Sequence, residues 1–100
     1  MYIRFRTRSL QRQYENSSEA IKSYGTVVAR KYIERINIIK SVRNLDELIE
    51  IKTLKCHPLK GDRKGQWALR LTGFVRLIFS LDGNQLEIVC IEEVSKHYDD

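Results

Sequence analysis

The sequence predicts an α+β domain in which a small, twisted antiparallel sheet packs against helices from the N-terminal half. Three observations carry this. Apolar residues recur at three-to-four spacing in the first half of the chain. From residue 54 onward the spacing changes to alternation. Turn residues separate the apolar runs of that second half. Amphipathic helices must bury their apolar stripe, and one face of the sheet is the economical place. The expectation is three to four main strands, a short N-terminal strand and two to three N-terminal helices. No internal repeat, low-complexity tract or linker interrupts the chain, so residues 1–100 read as one domain.

Each element follows in order. "MYIRF" alternates apolar and cationic positions, which suits a short strand with Ile3 and Phe5, and less regularly Tyr2, as its apolar residues. Ser9 is a candidate cap for a first helix through Leu10 and Tyr14. Ser17 or Ser18 starts a second helix, with Glu19 suited to its positive end. Gly25 breaks or bends that run. "TVVARKYIERINIIKSV" then carries Val28, Tyr32, Ile36 and Ile39 on one helical stripe. Asn44 and Glu47 form a capping-box-like start to "LDELIE". "QWALRL" and "FVRLIFSL" read as strands joined by a Thr72-Gly73 turn. "QLEIVCIEEV" follows Asp82-Gly83-Asn84, a hairpin signal.

Composition narrows the function. An apolar fraction of 42% is too high for a disordered chain. Runs such as "FVRLIF" are too short and too charged to span a membrane, and "MYIRFRTRS" lacks the apolar core of a signal peptide. The expected location is therefore the cytoplasm. There Cys56 and Cys90, which form no CxxC pair, read as free buried thiols. Joining them with His57 and His97 fits no standard zinc spacing, so no metal site is expected. The net charge of +5 favours a polyanionic partner. The cations crowd "YIRFRTRSLQR" and "KGDRKGQWALR", which points to a basic face.

The segment "HPLKGDRKGQWALR" concentrates this chemistry. Alternation puts Trp67, Leu69 and Leu71 on one side of a strand and Arg70 on the other, while Arg76 alternates against Val75 and Leu77. Two arginines on adjacent strands make a cationic sheet face. Simpler readings stand beside this one. His57 next to Pro58 is also a residue that packs at a strand start. Lys60, Arg63 and Lys64 are also an ordinary solvated loop. Trp67 reads as core, and Tyr14, Tyr24 and Tyr32 as helix packing. Alternation predicts that only one of Glu92 and Glu93 faces the cationic surface.

The run "CHPLKGDRKGQWALRLTGFVRLIF", followed by "LEIVCIEEV" and "KHY", resembles the RelE/ParE toxin superfamily, most closely its HigB-like branch. The resemblance extends more loosely through "VARKYIERINIIKSVRNLDEL" and so covers nearly the whole chain. It implies a RelE-like fold and a ribosome-dependent mRNA endoribonuclease that halts translation without metal or cofactor. It implies a cognate antitoxin, typically a HigA-type helix-turn-helix protein through which the complex binds operator DNA. The implied catalytic residues are His57, Lys60, Arg76 and His97. Arg63, Lys64, Arg70 and Tyr98 are the implied RNA contacts. Many HigB-like chains end in Tyr-His, whereas here the order is Lys96-His97-Tyr98.

Metal-free RNA cleavage uses the ribose 2′-OH as nucleophile. It needs a base, cations on the phosphate and an acid for the leaving 5′-oxygen. His57 or His97 suits either proton-transfer role. Lys60 supplies a point charge, and Arg70 and Arg76 each grip two phosphate oxygens. Tyr98 suits stacking on a splayed base. The alternatives are a ParE-like protein acting on DNA gyrase without nuclease activity, and a degenerate toxin retained only as a repressor partner.

Overall fold

Tyr32, Ile36 and Ile39 share one side of the longest helix, and each is fully buried. Their spacing of three and four residues is the stripe expected from sequence. A computed structural model, which describes residues 1–82 and 88–96, shows what they pack against. The sheet side of the core is formed by Leu69, Leu71, Leu77, Phe79, Val89 and Ile91. Burial of each large aliphatic side chain contributes roughly 1.5–3 kcal/mol, so this seam is the main source of stability.

The elements run β1 (Tyr2–Phe5), α1 (Arg8–Glu15), α2 (Ser17–Tyr24), α3 (Thr26–Ser41), α4 (Leu45–Glu50), β2 (His57–Pro58), β3 (Gln66–Thr72), β4 (Val75–Leu81) and β5 (Ile88–Ser95). Single 3-10 turns lie at Lys52–Leu54 and Gly61–Arg63. Among the described residues four α-helices therefore form where two to three were expected. The sheet order is β1-β5-β4-β3-β2. The pairs β2–β3, β3–β4 and β4–β5 are antiparallel, as expected, while β1 joins β5 in parallel. The α+β architecture stands.

The helix starts differ in detail from the sequence reading. Thr7, not Ser9, caps α1: its extended backbone lets its hydroxyl accept from the Leu10 N–H at 3.1 Å, whereas Ser9 already lies inside the helix. Asn16, not Ser17 or Ser18, caps α2, accepting from the Ser18 N–H at 3.1 Å. Asn16 also ends α1, so one residue makes the corner between the two helices. α3 begins after Gly25, where the break was expected. At α4 the Asn44 side chain accepts from the Glu47 N–H at 3.0 Å, and Glu47 in turn accepts from the Arg43 N–H at 2.7 Å. The Arg43 N–H, together with the Arg43 guanidinium, holds the Glu47 carboxyl below its ordinary range.

The hairpin turn is also displaced. β3 continues through Thr72, which pairs with Val75, so the loop residues are Gly73 and Phe74. Beyond β4, the Asp82 N–H donates to the Ile88 carbonyl at 3.0 Å. Gly83 and Asn84 of the expected turn lie outside the described residues. So do Gln85, Leu86 and Glu87, with which the last strand was expected to begin. Among the described residues no helix is long and apolar enough to cross a membrane.

Candidate nucleic-acid interface

The sheet face turned away from the helices is built from the strand register. Arg70 of β3 lies opposite Arg76 of β4, which lies opposite Ser95 of β5. The next row is His57, Ala68, Ile78 and Glu93. The third is Gln66, Ser80, Cys90 and Arg4. Alternation puts these rows on one face, and Trp67, Leu69 and Leu71 on the core side as expected. His57 is diagonal to Arg70 across the β2–β3 pair, a separation of about 7–8 Å. Histidine and both arginines thus converge on one corner of the sheet.

His57 is held in one orientation. Its ring Nδ1 lies 2.7 Å from the Lys55 carbonyl. A carbonyl only accepts, so Nδ1 carries the proton and Nε2 is the basic nitrogen of the neutral ring. Lys55 has a φ of 50° in the left-handed region, and that bend ends the preceding 3-10 turn. The backbone also fixes the arginines. The Arg35 Nε of α3 donates to the Arg70 carbonyl at 3.1 Å, tying β3 to the helical layer. The Arg76 Nη1 donates to the carbonyls of Thr72, Gly73 and Val75 at 3.2, 2.6 and 3.2 Å. Part of its guanidinium therefore holds the hairpin turn.

Lys60 and Lys64 are exposed in the loop between β2 and β3. Gly61 and Gly65 there have φ of 64° and 96°, conformations that favour glycine and let the loop turn tightly. Arg63 leaves this loop and crosses the sheet, with its guanidinium 2.5 Å from Glu93 of β5 and 3.3 Å from the Gln66 side-chain oxygen. Glu92 also faces this surface. It accepts from the Ser80 hydroxyl at 2.7 Å and pairs with Arg6 at 3.5 Å. The expectation that one glutamate turns away is corrected here. The register slips between Ile78–Glu93 and Phe79–Ile91, and that bulge sets consecutive side chains on one side.

Both cysteines are free and buried. Burial pushes the Cys56 thiol up to about 12 and raises that of Cys90. Neither is a thiolate nucleophile at neutral pH. Among the described residues, no group of three His, Cys, Asp or Glu residues is arranged to hold a metal.

His57, Arg70 and Arg76 are thus brought together, Lys60 lies in the loop at the opposite end of β3 from the arginine row, and Arg63 is drawn toward Glu93. His97 and Tyr98 lie outside the described residues. Sequence reasoning missed Phe74, which was assigned to a strand and is instead at the hairpin tip, 80% exposed. The signal was available in Gly73, which takes the turn with its successor rather than its predecessor.

This fold, an antiparallel β2–β5 sheet with β1 added in parallel and helices on one face, is shared with solved YoeB and ParE toxin structures. A solved YoeB/ParE toxin from Agrobacterium tumefaciens superposes with a TM-score of 0.64 at 23% identity, covering 98% of this chain and all of that one. The YoeB-YefM complex from Staphylococcus aureus gives a TM-score of 0.61 at 19% identity, and the YoeB dimer of that organism 0.57 at 19%, each covering 98% of both chains. No protein-family model matches the sequence, and no curated protein sequence matches it.

Proposed function

We propose that this protein is the toxin of a toxin–antitoxin pair and that it cleaves mRNA on the ribosome. The observation that carries the reading is the corner of the sheet where Arg70 stands directly opposite Arg76, with His57 diagonal to it. Like charges placed opposite each other oppose folding, and a bound phosphate turns that repulsion into attraction. The fold shared with YoeB and ParE toxins supports the same reading.

In this mechanism His57 Nε2 takes the proton of the ribose 2′-OH. The 2′-oxygen attacks phosphorus, the bond to the 5′-oxygen breaks, and the products are a 2′,3′-cyclic phosphate and a 5′-hydroxyl. Arg70 and Arg76 stabilise the added negative charge, and Lys60, in the loop at the start of β3, is the proposed further cation along the RNA. His97 is the proposed acid for the leaving oxygen, with Tyr98 stacking on a base, and Arg63 and Lys64 contact RNA more broadly. The site works in the cytoplasm. An antitoxin covers the basic face. Its HigA type, the HigB-like branch and operator binding by the complex follow from the sequence resemblance alone. That a solved YoeB is held by YefM supports the partner.

The test is to incubate the purified protein with programmed ribosomes and to map mRNA ends. Cleavage is expected, and His57→Ala is expected to slow it roughly 10²- to 10⁴-fold, the usual contribution of a general base. Intact mRNA at excess protein overturns the reading. A Lys60→Ala, Arg76→Ala double variant that still arrests growth fully points instead to a gyrase-directed, ParE-like activity.

A further inference from the structure

We propose that Phe74 is a stacking platform for a base of single-stranded RNA, set beside the arginine pair. The inference rests on the functional reading above and adds a recognition element to it. Phe74 is 80% exposed, so its ring contributes little to the core. It is nonetheless held in place. It occupies a two-residue loop closed by the Thr72–Val75 pair. The Arg76 Nη1 donates to the carbonyls on either side of it, those of Thr72 and Gly73 before and Val75 after. An exposed aromatic ring on a pinned turn loses little entropy when a flat partner covers it.

The surroundings identify that partner. The row nearest the turn is Arg70, Arg76 and Ser95, cationic and neutral. Among the described residues the acids of this face are engaged elsewhere, Glu92 by Ser80 and Arg6, Glu93 by Arg63 and Asp82 by Arg4. The other large exposed hydrophobics among the described residues are Tyr2, Ile21, Val27 and Ile49, which belong to β1, α2, α3 and α4. Among the described residues Phe74 is therefore the one large exposed ring on the turn that the Arg76 guanidinium holds, next to the row of Arg70 and Arg76. An apolar protein surface would be expected to meet a patch. A nucleotide needs one ring for the base and cations for its phosphates.

The experiment measures binding of the purified full chain to a labelled ten-nucleotide oligouridylate and, separately, to inorganic polyphosphate, which has no bases. Phe74→Ala is expected to weaken oligouridylate binding roughly 5- to 100-fold, the usual loss of one base stack. It is expected to leave polyphosphate affinity and the urea midpoint unchanged. Phe74→Trp should retain oligouridylate affinity and Phe74→Leu should not. Arg70→Ala should weaken both ligands. Equal loss of both ligands in Phe74→Ala overturns the stacking inference, as does full affinity in Phe74→Leu. If Phe74→Ala binds oligouridylate as tightly as wild type while Arg70→Ala does not, the stacking inference alone falls, and loss of the antitoxin in that variant would assign the ring to a protein partner. If Arg70→Ala keeps full affinity for oligouridylate, the reading of the arginine corner falls instead.

Discussion

Arg70 and Arg76 face each other across a strand pair, and no acidic side chain pairs with Arg70 among the described residues. Opposed like charges typically cost about 0.2–1 kcal/mol, so Arg70→Gln should raise the free energy of unfolding by a few tenths of a kcal/mol while reducing RNA binding. A urea titration and a binding curve on the same variant check both signs; a loss of stability would show that the pair supports the fold. Glu93 acts in the opposite sense. Its contact with Arg63 withholds one cation from the surface. Glu93→Gln should tighten RNA binding about threefold at low salt, a change in keeping with the small worth of exposed ion pairs. The buried thiol makes a third case. Burial pushes Cys56 up to about 12 and raises Tyr32 and Tyr24 as well. These groups hold their protons more firmly folded than unfolded. From about pH 9 the unfolded chain loses the thiol proton first, so stability is full below that pH and falls as pH rises toward 12. Urea midpoints at pH 7, 9 and 10.5 should decline in that order, and a flat series would refute the assignment.

At the scale of elements, the helical layer depends on a few polar bonds as well as on its apolar stripe. Tyr32 is fully buried, and its hydroxyl donates to the Leu10 carbonyl at 2.7 Å, locking α1 onto α3. Tyr32→Phe removes that bond while the Leu10 carbonyl keeps its intrahelical partner, and should cost about 0.5–1.5 kcal/mol, read as a lower denaturant midpoint with unchanged helical content. Gln13 extends the same arrangement: its amide donates to Ser9 and Ser23 at 3.3 and 3.0 Å and accepts from Tyr24 at 2.5 Å. The periodic part of this layer was legible in the sequence. Val28, Tyr32, Ile36 and Ile39 repeat on a helical period, and Gly25 marks the boundary before them. The caps were less so, because Thr7, Ser9, Asn16, Ser17 and Ser18 all have side chains that accept from a nearby N–H. Which one caps depends on where the chain leaves the extended conformation. The strands show the same division. Alternation identified the faces of β3 and β4, and so Arg70 and Arg76. It failed at β5, where a bulge put Glu92 and Glu93 on one side, and at the hairpin, where Phe74 was read as strand. Bulges and turns are set by partners across the sheet, and one strand's own sequence does not contain them.

For the molecule as a whole, the basic charge and the fold act together. If Lys60, Arg70 and Arg76 each neutralise one phosphate, the logarithm of the RNA association constant should fall with the logarithm of salt concentration with a slope near −2. Arg70→Ala should reduce that slope by about 0.7, whereas Phe74→Ala should leave it unchanged, since a ring displaces no counterions. Binding measured across a salt series distinguishes them. The strand order adds a constraint on how the protein is made. β1 pairs only with β5, matching Tyr2 to Ile88 and Phe5 to Ile91. β1 therefore waits for β5, and β4 has an unpaired edge until β5 emerges. Contacts so distant in sequence slow folding. On the ribosome, α1, α2 and α3 can gather as a local cluster, but the sheet that carries the arginine corner closes only after Ser95 has cleared the exit tunnel. A chain of this topology completes the sheet around its cationic corner only once β5 is available. Nascent chains that stall before β5 should remain open to proteolysis and lack the paired surface on which the proposed activity depends.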